Sequence, residues 1–289
     1  MFSEFKHSLR RLRGQIIGWG IGLAIYGVLM VSLFDSIVGI EGFEQLIASY
    51  PPEIMAFFGD FMAITTPIGY IDIYYFTYMT FIIGIFAASA GASLVAADEE
   101  KGILDLVMAH PISRTSLFLG RLLGFMTATA VILLIGWLSW AIPSGGTDLE
   151  LTWIEFLRPF LPLYGVLILF GTLAAVLSLL LPSSRSAGAL SGGLLVANFL
   201  LTGLANINED LKTIVKYTPL NYYQGGDAVR GINWEWLGGM LAVSAVFALI
   251  AWWRFQRRDI RVGGEGGWRL PLVRRRALRK HGSNLKEPA

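Results

Sequence analysis

Six long apolar runs, separated by polar connections, dominate the hydrophobic pattern of this chain. Each run is close to the length of about 20 residues that an α-helix needs to cross a bilayer. A segment in lipid must satisfy its own backbone hydrogen bonds, and the alternating pattern of an outer-membrane barrel is absent, so we predict helices. The expected fold is an all-α integral membrane protein whose six spans are 15–34, 73–97, 117–142, 160–181, 187–204 and 237–253.

The N-terminal segment has a different periodicity. Its apolar residues Phe2, Phe5, Leu9 and Leu12 recur in steps of three and four, which places them on one face of a helix, and basic residues occupy much of the rest. This pattern predicts a cytoplasmic amphipathic helix over residues 1–14, lying on the inner leaflet. A frayed basic leader is the alternative.

The basic residues predict the orientation of the bundle. If the N-terminus lies inside, all but four of the 23 Lys and Arg residues fall on the inner side. This asymmetry follows the positive-inside rule and predicts that both termini are cytoplasmic. The chain then divides into the surface helix, a six-helix transmembrane domain over 15–255, and a basic cytoplasmic tail over 256–289. We expect the tail to be a mostly disordered anchor on the inner side that can contact anionic lipid. Nucleic-acid binding is the disfavoured alternative, because the tail is tethered to a membrane.

Composition excludes several kinds of chemistry. Hydrophobic residues make up 54% of the 289 residues and charged residues 15%, so an ordinary soluble domain is excluded. With no cysteine, the chain has neither disulfides nor thiolate sites. The three histidines are too scattered for a metal site, and we predict none. The chain also lacks the Gly-x-x-x-x-Gly-Lys-Ser/Thr phosphate loop, so it cannot bind ATP by that route.

The spans carry no ionisable side chain near their centres. Proton- and ion-coupled carriers place such groups near the midplane, so this absence argues against a secondary transporter. Small residues recur at spacings that permit close helix packing. The polar positions proposed for a substrate pathway are Thr127, Thr172, Asn198 and Thr202.

The connection at residues 98–114 is the most distinctive polar segment. Its acidic first turn, Asp98, Glu99 and Glu100, is favourable at the positive end of a helix dipole. Pro111 ends the segment, and Ser113 can cap the helix that follows. The pattern predicts one compact helix at the membrane surface that docks into another protein. Its apolar positions at helical spacing are Ile103, Leu104, Val107 and Met108.

This segment resembles the first cytoplasmic loop of ABC-2-type transporter permeases. The matching residues are Glu99, Glu100, Gly102, Leu104, Met108, Pro111, Ile112, Ser113 and Arg114. Two positions depart from the family pattern: Ile103 replaces a Thr or Ser, and Arg121 replaces a Lys. In that family the loop is a coupling helix seated in a groove of a separate ATPase. The resemblance therefore implies an ATPase contact formed by Asp98, Glu99, Glu100, Gly102, Leu104, Leu106, Val107, Met108, Pro111 and Arg114.

The turn between the fourth and fifth spans resembles, by position, the second and smaller ATPase contact of the family. The residues concerned are Ser183, Ser184 and Arg185, and a plain turn is the alternative.

The resemblance implies a type V exporter-like permease bundle in the prokaryotic plasma membrane. The chain would be no enzyme and would hold no cofactor, since ATP and Mg would bind to partner ATPase subunits. Further partners would be membrane lipids and a second permease chain, identical or homologous. A hydrophobic or amphipathic substrate, such as a lipid, a drug-like compound or a peptide, is expected from the apolar walls. The alternatives are a transporter without ATP coupling and a membrane scaffold.

Overall fold

Helices form all the regular secondary structure in the part of the chain that the computed structural model describes, residues 1–40, 42–58, 61–109 and 112–258. Six of them are long and apolar enough to cross a membrane, which confirms the predicted six-span, all-α architecture. The cytoplasmic location of both termini stays a prediction. The candidate spans are Phe2–Val38, Pro67–Ala92, Arg114–Gly146, Trp153–Leu180, Ser184–Ile207 and Trp234–Arg257.

The α-helices are numbered here in chain order. They are α1 (Phe2–Val38), α2 (Phe43–Ala48), α3 (Pro52–Phe57), α4 (Pro67–Ile71), α5 (Thr77–Ala92), α6 (Ala96–Glu100), α7 (Leu104–Met108), α8 (Arg114–Ala141), α9 (Trp153–Leu157), α10 (Phe160–Leu180), α11 (Ser184–Ile207), α12 (Lys212–Val215) and α13 (Trp234–Arg257).

The first helix has no break at residue 14, where the sequence predicted a boundary. α1 is 37 residues long, or about 55 Å, which exceeds the hydrocarbon core. Its buried face at the N-terminal end is Glu4, Ser8 and Leu12, while Phe2 of the predicted apolar face is exposed. The polar face is buried because α8 presents glycines to it: a Cβ at Gly120 would lie 2.7 Å from the Cβ of Glu4.

The centre of the bundle is α10, which packs against α5, α11 and α13 and is the most buried of the six candidate spans. Glycine allows α5 and α10 to touch backbone to backbone. A Cβ at Gly91 would lie 2.6 Å from the carbonyl carbon of Gly171 and 2.8 Å from its Cα. Such close contact supplies packing energy in a lipid environment, where the hydrophobic effect does not drive helix association.

The second span changes its helical geometry along its length. Thr66 caps α4 by accepting a hydrogen bond from the backbone N–H of Gly69 at 3.2 Å, and a π-helix at Asp72–Phe76 joins α4 to α5. π-Helical turns are rare and are frequent at functional sites. The span therefore starts at Pro67, before the predicted start at 73, and includes Asp72.

Candidate functional site

The predicted coupling segment contains two short helices, α6 and α7, instead of the single helix that the sequence predicted. Gly102 separates them with φ of +67°. The backbone N–H of Gly102 donates to the Glu99 carbonyl, and that of Ile103 donates to the Asp98 carbonyl, both at 3.0 Å. This is a Schellman motif, in which a glycine ends a helix because it adopts the left-handed conformation without strain. We call residues 96–108 the α6–α7 loop.

Asp98 points into the bundle and joins three helices. Its Oδ1 lies 2.8 Å from Arg11 Nη1 on α1, and its Oδ2 lies 2.6 Å from Arg121 Nη2 on α8. Asp98 and Arg121 are both buried, and Arg121 also donates to the Leu94 carbonyl at 2.8 Å and lies 3.9 Å from Glu4. The pairing satisfies charges that would be costly to bury alone. Asp98 therefore holds the loop against α1 and α8.

The C-terminal end of α13, together with the following residue Arg258, provides a second attachment. Glu99 Oε1 lies 3.2 Å from Arg258 Nη2. Arg114 donates to the carbonyl oxygens of Phe255, Gln256 and Arg258, at 3.1, 3.1 and 2.7 Å. A cation is favourable at a helix C-terminus, where carbonyl groups have no partner within the helix. Both predicted coupling residues thus bind within this chain.

Glu100 joins the loop to the turn before α11. It accepts a hydrogen bond from the backbone N–H of Ser184, and its Oε2 lies 3.0 Å from Ser184 Oγ. Ser183 caps α11, since its side chain accepts from the backbone N–H of Ser186 at 3.1 Å. The two loops for which an ATPase contact was predicted are therefore in direct contact, although their role in such a contact stays a prediction.

The remaining residues of the loop form an inner and an outer face. Leu104 is fully buried in the core, and Val107 and Met108 are half-buried against it. Leu106 is 67% exposed and Ile103 39% exposed. Gly102 is half-buried, and the predicted contact residue Pro111 lies outside the described residues. The exposed part of the loop therefore combines these two apolar side chains with the charged side chains of Lys101 and Asp105.

A groove of about 530 Å³ lies between α5 and α11 and reaches Ser184 and Arg185 at the loop end of the bundle. Small residues line much of it, so the two helices approach closely: a Cβ at Gly188 would lie 3.6 Å from that of Ala92. Exposed apolar side chains, including Ile85 and Val196, form the rest of its walls. We call this the α5–α11 groove, and its walls can contact an apolar ligand or another helix.

The four residues predicted for a substrate pathway do not meet at one place. Thr172 is buried in α10 and donates to the Ile168 carbonyl of its own helix at 2.8 Å, and Thr127 is half-buried on α8. Asn198 donates to the Leu194 carbonyl at 3.1 Å. Thr202 lines a cavity at the opposite end of the bundle from the α6–α7 loop.

The burial of two ionisable residues of the bundle was not predicted from the sequence. Arg121 was noted only as a departure from the family pattern, yet it is buried inside the first helical turns of α8. Asp72 was placed in a loop next to the second span, yet it lies in the π-helix of that span and lines the same cavity as Thr202. The aromatic pattern of the second span continues in the N-terminal direction past Asp72 to Tyr70. This pattern was the available signal that the span begins before residue 73.

Comparison with known proteins identifies the family. Residues 4–260, from α1 to the end of α13, match the model of a family described as ABC-2 family transporter protein. A search among curated proteins finds no match. The family match covers most of the chain and agrees with a helical membrane protein of six candidate spans. The chain therefore belongs to the ABC-2 family of transporter proteins.

Proposed function

We propose that this chain is the membrane-spanning permease subunit of an ATP-driven exporter and that a separate ATPase binds ATP and Mg²⁺. The observation that carries the proposal is the contact between Glu100 and Ser184. This contact joins the two loops that are expected to touch an ATPase into one continuous surface. Family membership supports a transport role. The exposed apolar side chains Ile103 and Leu106 give the outer face of the α6–α7 loop the character of a docking surface, because burial of such side chains drives protein association.

The attachments of the loop supply a route for coupling. Asp98 binds α1 and α8, Glu99 binds the end of α13, and Glu100 binds the start of α11. A partner that displaced the loop during ATP hydrolysis would therefore act on four helices together. Buried ion pairs suit this role, because separating them without replacement is costly.

The α5–α11 groove supports a dimeric pathway in the plasma membrane. A second permease chain, identical or homologous, would close the groove from outside. The apolar walls would then contact a hydrophobic or amphipathic substrate, or membrane lipid, within the pathway. The contact would bury the small-residue surface of α5 and α11, which is the kind of surface that packs closely between helices in lipid.

The decisive experiment disrupts the outer face of the loop while sparing its inner attachments. The chain is co-expressed with ABC-type ATPases from its own genome and purified. We expect an ATPase to co-purify with the wild type, and Leu106→Arg to weaken this association at least about tenfold, since a charge at an apolar contact centre commonly costs 2 kcal/mol or more. Leu46→Arg is the matched control, because Leu46 is equally an exposed leucine on a short helix, α2.

Three results would contradict the proposal. The first is ATP hydrolysis by this chain when it is purified free of any partner. The second is full association and substrate-stimulated ATPase activity in the Leu106→Arg complex. Equal loss in Leu106→Arg and Leu46→Arg would also count against a specific contact at the loop.

A further inference from the structure

A cavity of about 370 Å³ lies at the end of the bundle opposite the α6–α7 loop. We call it the Asp72 cavity. The π-helix, the end of α11 and the segment between Pro219 and Val229 enclose it. The placement follows from the second span itself, which has Asp72 at one end and leads into α6 at the other. The α6–α7 loop and the Asp72 cavity are therefore separate sites.

Asp72 is held firmly at the wall of this cavity. Its Oδ1 accepts a hydrogen bond from the backbone N–H of Gly226 at 2.6 Å. Only glycine allows this approach, since a Cβ at Gly226 would lie 2.5 Å from the Cβ of Asp72. Gly225 adopts φ of +54°, a left-handed conformation that turns the chain toward the carboxylate. The backbone thus fixes one carboxylate oxygen of Asp72. The position of the second oxygen is set by the same contact.

The second oxygen of Asp72 makes no hydrogen bond to any residue that the structure describes. Among the described residues that line the cavity there is also no Lys, Arg or His. The other acid in the lining, Asp227, lies 3.8 Å from Arg230 on the surface. The cavity therefore has a negative potential that its own walls do not neutralise, and a carboxylate in such a place favours a cationic ligand.

The rest of the lining indicates which kind of cation fits. Phe57, Phe58 and Phe199 form aromatic walls, and Thr77 and Thr202 add hydroxyl groups. Aromatic faces attract organic cations and pack against apolar bodies. A divalent metal ion is a poorer match, because it needs about six oxygen ligands, and no group of three or more acidic or histidine side chains among residues 1–40, 42–58, 61–109 and 112–258 could hold one.

We propose that the Asp72 cavity binds an organic cation with an apolar or aromatic body, and that Asp72 is its counter-ion. This inference rests on the proposed function, because it names the class of substrate that the exporter would carry. Binding itself needs only this chain. A variant of the α6–α7 loop is therefore expected to leave it intact.

The test uses tritiated tetraphenylphosphonium as the probe and the full chain in a non-ionic maltoside detergent. We expect saturable binding to the wild type. Asp72→Asn removes the charge and keeps the shape, and it should weaken binding at least about tenfold, as expected for a desolvated charge pair. Asp210→Asn is the matched control, since Asp210 is an exposed acid near the same end and does not line the cavity. Tetraphenylborate, which has the same shape and the opposite charge, should not compete.

A second variant keeps the test valid if Asp72→Asn fails to fold. Asn206 is exposed and lines the cavity, so Asn206→Lys adds an ammonium group there without touching the contact of Asp72 with Gly226. It should abolish binding while size-exclusion behaviour and thermal midpoint stay near those of the wild type. Unchanged affinity in a folded Asp72→Asn or Asn206→Lys protein, or competition by tetraphenylborate, would overturn the proposal.

Two further measurements separate the possible outcomes. Leu106→Arg should bind the probe normally, so loss of ATPase association with intact probe binding would contradict neither proposal. Retained ATPase association in this variant would contradict the proposed function, whatever its probe binding. Loss of probe binding in a folded Leu106→Arg protein would contradict the cavity proposal. Adding phosphatidylethanolamine distinguishes the source of the cation: displacement of the probe assigns a lipid headgroup, and no displacement assigns a free amphipathic cation. Either result supports recognition of a cation by Asp72.

Discussion

Replacing Asp98 by Asn gives the sharpest test of how the α6–α7 loop is held. The substitution keeps the shape of the side chain and removes a charge that lies 2.6 Å from Arg121 and 2.8 Å from Arg11. Arg121 is 3% exposed, so its charge would stay buried without its main partner. Breaking a buried pair from one side costs about 3–5 kcal/mol.

Other contacts of the two arginines narrow the expected cost of Asp98→Asn. Arg121 would keep Glu4 at 3.9 Å and the Leu94 carbonyl at 2.8 Å, which offset part of the loss. Arg11 is partly exposed, so its share of the effect is at most about 1 kcal/mol. We therefore expect the free energy of unfolding to fall by about 3 kcal/mol, the lower end of the range, or more than a hundredfold in the folding equilibrium.

Denaturant titration in mixed micelles, followed by the fluorescence of the nine tryptophans, measures this change. Adding Arg121→Met removes the stranded charge but also takes away the cation beside buried Glu4. The double variant should therefore recover part of the stability and show a coupling energy of about 2 kcal/mol. Glu209→Gln is the control, because the Glu209–Lys212 pair is exposed and screened by solvent, so its loss should not measurably change stability.

The reasoning is refuted if Asp98→Asn unfolds within about 0.5 kcal/mol of the wild type, or if its effect and that of Arg121→Met are additive. A change in ATPase association without a change in stability would instead indicate that Asp98 acts at the partner surface.

Three further predictions concern packing, backbone and topology. Gly91→Val should lower the free energy of unfolding by about 1–3 kcal/mol or prevent folding, because its side chain would overlap the backbone of Gly171; denaturant titration measures this. Gly102→Ala should cost about 1 kcal/mol in the same assay, because φ is +67° there. In this cysteine-free chain, an impermeant thiol reagent should label Ser49→Cys on intact cells and Ser283→Cys only after the membrane is opened; external labelling at 283 would contradict the predicted orientation.

The apolar pattern predicted the bundle well because lipid imposes a strong rule on each span separately. A helix in lipid needs only length and apolar composition, and both are local properties. The predicted third span, 117–142, therefore lies close to the observed helix Arg114–Ala141. The cap at Ser113 is confirmed as well: its side chain accepts from the backbone N–H of Ser116 at 3.1 Å. Both features depend on neighbouring residues only.

Contacts between distant parts of the chain could not be predicted in this way. Arg121 looks like an ordinary basic residue near a membrane surface until α1 brings Glu4 and Arg11 beside it. The environment of Asp72 depends equally on Gly226, 154 residues further along the chain. Such pairs require the tertiary arrangement of helices, about which a single sequence carries no local signal.

The acidic run of the α6–α7 loop shows the physical limit of a pattern argument most clearly. In the sequence, Asp98, Glu99 and Glu100 form one charged turn. A favourable interaction with the helix dipole explains their presence, but it does not predict the direction in which each side chain points. Successive residues of a helix are rotated by about 100°, so three neighbouring side chains cannot share one face. In the structure they point to three sides of the bundle, toward α1 and α8, α13 and α11 respectively. The acids that first indicated a docking surface are therefore the residues that fasten the loop to the rest of the bundle. The partner contact that we propose would instead use the exposed side chains beside them, Ile103 and Leu106.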